Sequence, residues 1–483
     1  MSTELYAMSA TEALARFRDR SLSPVELLDA VVERAGVVEP TVNALVHERY
    51  DEAREEAKAA EKRYTAWAEK GGPAPRALEG LPCAIKEEEA IEGQPWTQGS
   101  LIYKDLVADH TSNFGRRMLD AGAIVHARST APEFSCAFYT QSRIHGITRN
   151  PWNPEFGVGG SSGGAGAALA SGTTTIASGS DIGGSIRVPA SFNGVVGFKP
   201  PFGRVPQAPP FNHDTYCHCG PLARTVADTA IYQNALAGPS PDDIVSLRPR
   251  YVLPTEFDGD LTGMRIAVTV DFGTFPVDPE IRENTSAAAE ALRLAGAQVD
   301  MVDLVLEQDQ VMRAAAIHFH LGFGAYIGAE AAAHPDLVTD YVAAFAANLA
   351  EQAEGGTLME KHTIESELYT PVGTLLETYD ALICPTLGTR GFVAGESYVG
   401  TGITVDGHEL HDTFRASLSP VFNIMSRCPV LNVPSGFASN GVPTGIQIAG
   451  RTYDDVTPFK VGAALEKVRP WPLTAPVAAG AEV

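Results

Sequence analysis

A chain of 483 residues with 44% hydrophobic and 20% charged side chains has the apolar material for a large core, which excludes a disordered polymer. Its 59 acidic residues outweigh 36 basic ones, giving a formal charge of -23 that no run of Lys or Arg relieves, and this excludes nucleic acid and anionic membrane as partners. Six scattered cysteines, Cys83, Cys136, Cys217, Cys219, Cys384 and Cys428, form no disulfide framework and read as reduced thiols of a cytoplasmic protein.

The opening stretch MSTELYAMSATEALARF has no basic segment followed by an apolar core and a small-residue cleavage site, so it does not read as a secretory signal. No apolar run is long enough to span a bilayer. The first helix start is SPVELLDAVVERA, where Ser23 caps, Pro24 suits the first helical position and Glu26 completes a capping box. Residues 45 to 70 read as a second helix with a solvent-facing side, and LPCAIKEE as a short buried strand with Lys86 at its end. A helix near 108 to 122 and a strand at AIVHARS follow. From Gly157 to Pro200 glycine and serine dominate.

Beyond residue 255, MRIAVTV, a helix capped near Asp278 and Pro279, and GAQVDMVDL read as a βαβ unit. Residues 305 to 370 are Ala-rich and helical. YDALICPT and CPVLNVPSG read as buried strands ending in proline turns, and GVPTGIQIAG adds another strand. Without linkers or repeats, the expectation is one large α/β domain over residues 1–483 with an inserted helical region.

The chemistry concentrates in two glycine-rich loops. Gly159, Gly160, Gly163 and Gly164 surround Ser161 and Ser162, while Gly179, Gly183 and Gly184 lie around Asp181 and Ser185. Glycine permits close backbone approach, so hydroxyls and peptide N–H groups can converge. A hydroxyl attacking an acyl carbon creates an oxyanion, and the N–H groups of Ile182, Gly183, Gly184 and Ser185 itself are the expected donors to it. A serine also needs a proton acceptor, and no histidine lies within these loops. GGSSGGAG lacks the GK[ST] of a phosphate-binding loop, and a purely structural glycine-rich packing region would not require paired serine loops.

GGSSGGAGAA together with GSDIGGSIRVPASFNGVVGFKP resembles the signature of the amidase signature family. The similarity extends to LPCAIKE, GPLARTVAD, VLNVPSG and GVPTGIQIAG. It implies a Ser-cisSer-Lys triad with Ser185 as nucleophile, Ser161 as the bridging serine after a cis peptide, and Lys86 as terminal base. The implied fold is a large mixed β-sheet covered by α-helices on both sides, with a signature core around 80–225 and a divergent substrate-specificity region around 305–370. A neutral Lys86 takes the proton of Ser161, which takes that of Ser185; the same bridge then protonates the leaving group. Supporting roles fall to Ser180, Asp181 and Arg187, the last two holding the loops, while Ser162 is left a structural part. The chain departs from the family at Glu87, where Asp is frequent, at Thr130, where Asn is frequent, and at Arg427, where Gly is.

Phe134, Ser135, Cys136, Phe138 and Tyr139 are the expected substrate-pocket residues, against core packing as the bland alternative. The run HDTYCHC holds His213, Cys217, His218 and Cys219, but one-residue spacing suits neither a zinc finger nor another structural metal site, so it reads as loop packing or pocket wall. His318 and His320 read as packed or exposed side chains. The resemblance implies no metal or organic cofactor and a small-molecule amide or carbamate as substrate, for a monomer or homo-oligomer. Aryl amides, carbamates (urethanes) and esters are the expected range. A glutamine amidohydrolase subunit of a transamidating complex and a noncatalytic binding or assembly protein on the same scaffold are the alternatives.

Overall fold

In the computed structural model, which describes residues 4–476, eleven short apolar runs hydrogen-bond into one mixed sheet. Met1–Thr3, which begin the stretch that does not read as a secretory signal, lie outside the described residues. In chain order the strands are β1 (Leu45–Val46), β2 (Pro82–Lys86), β3 (Ile124–Ser129), β4 (Ile176–Asp181), β5 (Val196–Lys199) and β6 (His218–Ala223), then β7 (Arg265–Val268), β8 (Gln298–Met301), β9 (Ala381–Pro385), β10 (Val430–Phe437) and β11 (Pro443–Gly450). Across the sheet they run β1-β3-β2-β4-β6-β5-β10-β11-β9-β7-β8. β2 is parallel to β3 and β4, and β7 is parallel to β8 and β9; the other pairings are antiparallel.

Successive side chains of a strand point to opposite faces, and both faces here are apolar. Ile266, Val268, Ala381 and Ile383 pack with the helices Pro279–Leu294 and Val456–Val468. Their neighbours Ala267, Leu382 and Cys384 pack in a second core with Gln308–Phe319 and Leu358–Leu376. Helices therefore cover the sheet on both sides, and the strands read as near-continuous apolar runs.

Ser23, Pro24 and Glu26 form the capping box of helix Pro24–Val42. Three expected boundaries are corrected. The helix expected from 45 begins at Tyr50, because Leu45 and Val46 pair with Ser129 and Arg128 as an edge strand. The helix expected over 108–122 is confined to Asn113–Asp120, capped by the Ser112 side chain, which accepts from the Gly115 N–H. β10 does not stop at a proline turn; it runs through Pro434 to Phe437, with an irregularity between Pro434 and Gly436 absorbing the missing donor. All six cysteines are buried and free. Among the described residues no helix is long and apolar enough to cross a membrane.

Candidate active site

β2 ends at Lys86, whose side chain is fully buried. A buried amine needs partners for its N–H groups, and it has three. Its Nζ lies 2.7 Å from Ser161 Oγ, 2.9 Å from Ser180 Oγ and 2.9 Å from Glu88 Oε2. Ser180 arrives on β4, the parallel neighbour of β2, and the Lys86 N–H donates to Ser178 Oγ of the same strand at 2.7 Å.

Ser161 follows a cis Gly160–Ser161 peptide and leads into the helix Gly163–Ser171. The Ser162 N–H donates to the Ser185 carbonyl at 3.1 Å, tying the two serine loops together. Glycine is required at the points of closest approach. A Cβ on Gly163 would lie 2.1 Å from Thr140 Oγ1, and Gly184, at φ +135, would drive one to 1.9 Å from Ser419 Oγ. Ser185 is 4% exposed at the end of this second loop. No turn or loop backbone hydrogen bond among the described residues engages the N–H of Ile182, Gly183 or Gly184.

The second loop is anchored by Asp181 and Arg187, both fully buried. Arg187 donates from Nε to Asp181 Oδ2 at 2.9 Å and from Nη2 to Oδ1 at 2.8 Å, a fork-on-carboxylate geometry. It also donates to the Ser419 carbonyl and to Asn423 Oδ1, while Asn423 Nδ2 donates back to Asp181. Burial pushes the Asp181 carboxyl up, but Arg187 and Asn423 outweigh it and hold the group well below the usual carboxylate range.

A cavity of about 180 Å³ shares Phe319 and Phe414 with the surroundings of Gly183, and none of Lys86, Ser161 or Ser185 lines it. Cys136, Ala137 and Tyr139 line it together with Phe319, Phe345 and Phe414. A Cβ on Gly183 would meet Phe319, Phe414 and Phe138 at 3.5 to 3.8 Å, so these rings stand against the loop that carries Ser185. Of the expected pocket residues, Cys136 and Tyr139 line the cavity. Phe138 packs on Phe414 instead, with ring centroids 4.3 Å apart, and Phe134 packs edge-on to Tyr103. Ser135 turns away, its Oγ donating to Glu88 Oε2 at 2.5 Å. Met312, Phe319, Tyr341 and Phe345 come from the helical region 305–370, and Tyr398 and Phe414 from a segment that gave no sequence signal.

The Lys-Glu-Glu-Glu run also resolves in an unexpected way. Glu87 faces away from Lys86, accepting from the Thr97 N–H at 2.9 Å and the Gly99 N–H at 2.7 Å, and Glu88 is the carboxylate at the amine. Among the described residues His47, Glu87 and His145 place ligand-type atoms within 4.8 Å of one another. Both Glu87 oxygens already accept from backbone N–H groups. Burial pushes the Glu87 carboxyl up, but His145, Thr97 and Arg128 outweigh it and hold it below its ordinary value, and the carboxylate braces the Thr97–Gly99 turn. In HDTYCHC, His218 and Cys219 are strand residues; His218 meets the Tyr216 carbonyl at Nδ1 and the Ser426 carbonyl at Nε2. His318 is neither free nor catalytic in position: its Nε2 lies 2.6 Å from Asp214 and its ring stacks on Tyr216.

A family model described as Amidase matches residues 26–458. A glutamyl-tRNA(Gln) amidotransferase subunit of Thermosynechococcus vestitus (strain NIES-2133 / IAM M-273 / BP-1) is 32% identical, covering 93% of this chain and 95% of its own. An acylamidase of Rhodococcus erythropolis is 31% identical over 97% of this chain and 96% of its own. The crystal structure of a bacterial aryl acylamidase superposes with a TM-score of 0.89 at 28% identity, covering all of both chains.

Proposed function

The chain belongs to the amidase signature family and is a C–N bond hydrolase, and from that premise we propose that it cleaves small apolar or aryl amides through an acyl-enzyme on Ser185. The 2.7 Å hydrogen bond between the Lys86 amine and Ser161 Oγ carries the reading. Ser185 Oγ attacks the amide carbon as its proton passes to Ser161, whose own proton passes to Lys86. The oxyanion takes hydrogen bonds from the N–H groups of Ile182, Gly183 and Gly184. The proton returns along the same bridge to the leaving amine; water then attacks the acyl carbon, giving its proton to Ser161 as Lys86 takes that of Ser161, and the bridge returns a proton to Ser185 Oγ as the acid leaves. Asp181 and Arg187 hold the loop in register for this chemistry, and the helices of 305–370 supply substrate selection. A carbamate enters the same scheme as a carbamoyl-enzyme, and an ester as an acyl-enzyme with an alcohol leaving.

The cavity lining favours an apolar group: Asp412 is its one carboxylate and His411 its one imidazole, with no Lys or Arg to pair a substrate carboxylate. Sequence likeness favours a second reading, glutamine as the amide within a transamidating complex, because the amidotransferase relative covers nearly the whole chain at 32% identity. One experiment separates them. Hydrolysis of an aryl anilide, an aryl carbamate and glutamine is compared, with intact-protein mass recorded during turnover. An adduct from the anilide or carbamate, absent in Ser185→Ala, is the expected result; turnover of glutamine alone would replace the first reading with the second, and activity surviving in Ser185→Ala would remove the nucleophile.

A further inference from the structure

An ammonium has three N–H donors, and Ser161, Ser180 and Glu88 supply an acceptor for each. The arrangement is thus complete for the charged amine. A neutral amine has a lone pair in place of one donor and can take a proton from Ser161. The carboxylate in that shell has no proton to give, so it can hold the amine without competing with Ser161 as proton donor.

Glu88 is itself held in place. Ser135 Oγ donates to the same oxygen that meets Lys86, and Phe134 and Ser135 stand at φ 52 and 57, a left-handed turn uncommon for non-glycine residues, which delivers that hydroxyl. Burial pushes the Glu88 carboxyl up, but Lys86 and hydrogen bonds from Ser135 and Ser180 outweigh it and hold the group below its ordinary value. It is a carboxylate, not an acid, at neutral pH.

We propose that Glu88 is a positioning residue for the hydrolysis: it fixes the Lys86 amine on Ser161 Oγ. The inference rests on Lys86 being the base. Other ionisable groups face the pair: Glu89 on the same segment, Cys217 and Cys219 at the start of β6, and Arg128 of β3, which donates to the Lys86 carbonyl. Glu89 is pushed up by burial and by Glu88, and burial pushes both thiols well up, so Glu88 is the carboxylate in direct contact with the amine.

The test is kcat and KM with p-nitrophenyl acetate for the wild type, Glu88→Gln, Glu88→Asp and Lys86→Ala. Glu88→Gln keeps the shape but replaces the charged contact with a neutral one, so kcat falls about tenfold or more while KM stays within about twofold. Glu88→Asp, which keeps the charge on a shorter arm, loses less of kcat, and serves alone if the glutamine variant does not fold. A kcat unchanged in the folded variants, or a loss carried by KM instead, overturns the inference. Lys86→Ala retaining wild-type kcat/KM would instead remove the base on which the inference depends.

Discussion

Asp181 and Arg187 lie together without solvent, so neither charge can lose its partner cheaply. Replacing Arg187 by Ala leaves a buried carboxylate stripped of its guanidinium, a change that costs about 3 to 5 kcal/mol. Urea unfolding of Arg187→Ala should show that loss, and Arg187→Lys should recover only part, because an ammonium cannot reproduce the two-pronged contact. The pair was legible in the sequence because Asp181 and Arg187 flank a glycine loop whose serine needs anchoring. Glu88 was not legible. Strand alternation ends at Lys86, so nothing in the run Glu87-Glu88-Glu89 says which carboxylate turns back toward the amine, and the turn at Phe134 and Ser135 that receives Glu88 has no sequence signature.

Helices and loops were readable where a local rule fixes them. Ser23-Pro24-Glu26 marks a helix start through its own side chains, whereas the start at Tyr50 depends on Leu45 and Val46 being claimed by a distant strand. Two helical glycines make this difference measurable. Gly36 lies inside helix Pro24–Val42, and a Cβ there meets nothing within 4 Å, so Gly36→Ala should raise stability by about 0.5 to 1 kcal/mol through helix propensity. Gly163 opens helix Gly163–Ser171, where a Cβ would collide with Thr140 Oγ1 and with Val158. Gly163→Ala should cost about 1 to 3 kcal/mol in thermal or urea unfolding. It should also lower kcat with little change in KM, since the displaced residue is two positions from Ser161 while the aromatic cavity is untouched. Equal small effects in both variants would show that the serine loop tolerates movement.

At the scale of the whole molecule the strand order was beyond the sequence, because β5 pairs with β10 across more than two hundred residues and no periodicity encodes a partner. That order buries imidazoles in the sheet, and the pH dependence of stability follows from it. His126 on β3 is pushed down to about 4 by burial, its backbone hydrogen bonds only partly opposing. His218 on β6 is pushed down to about 3 by burial and by Lys199. Both have folded values below the unfolded 6.5, so as pH falls through 6.5 the unfolded chain takes up protons that the native state refuses. Stability is therefore lost between pH 6.5 and about 4, at about 1.4 kcal/mol per pH unit for each fully titrating imidazole. Glu466, raised to about 7 chiefly by burial, opposes this: the folded state binds its proton more tightly, so it adds stability as pH falls from 7 toward 4.5. The two imidazoles outweigh Glu466; His47, pushed down by burial, adds to the loss, and Glu39, Glu56, Glu89 and Asp455, pushed up chiefly by burial, reduce it. Urea unfolding at pH 7, 6 and 5 should show a falling free energy in the wild type and a shallower fall in His126→Gln, whose side-chain amide can still donate to the Thr173 carbonyl that His126 meets at 2.8 Å. An unchanged slope in that variant would mean that His126 is protonated in the folded sheet, and the loss on acidification would then belong to His218 and the paired carboxylates.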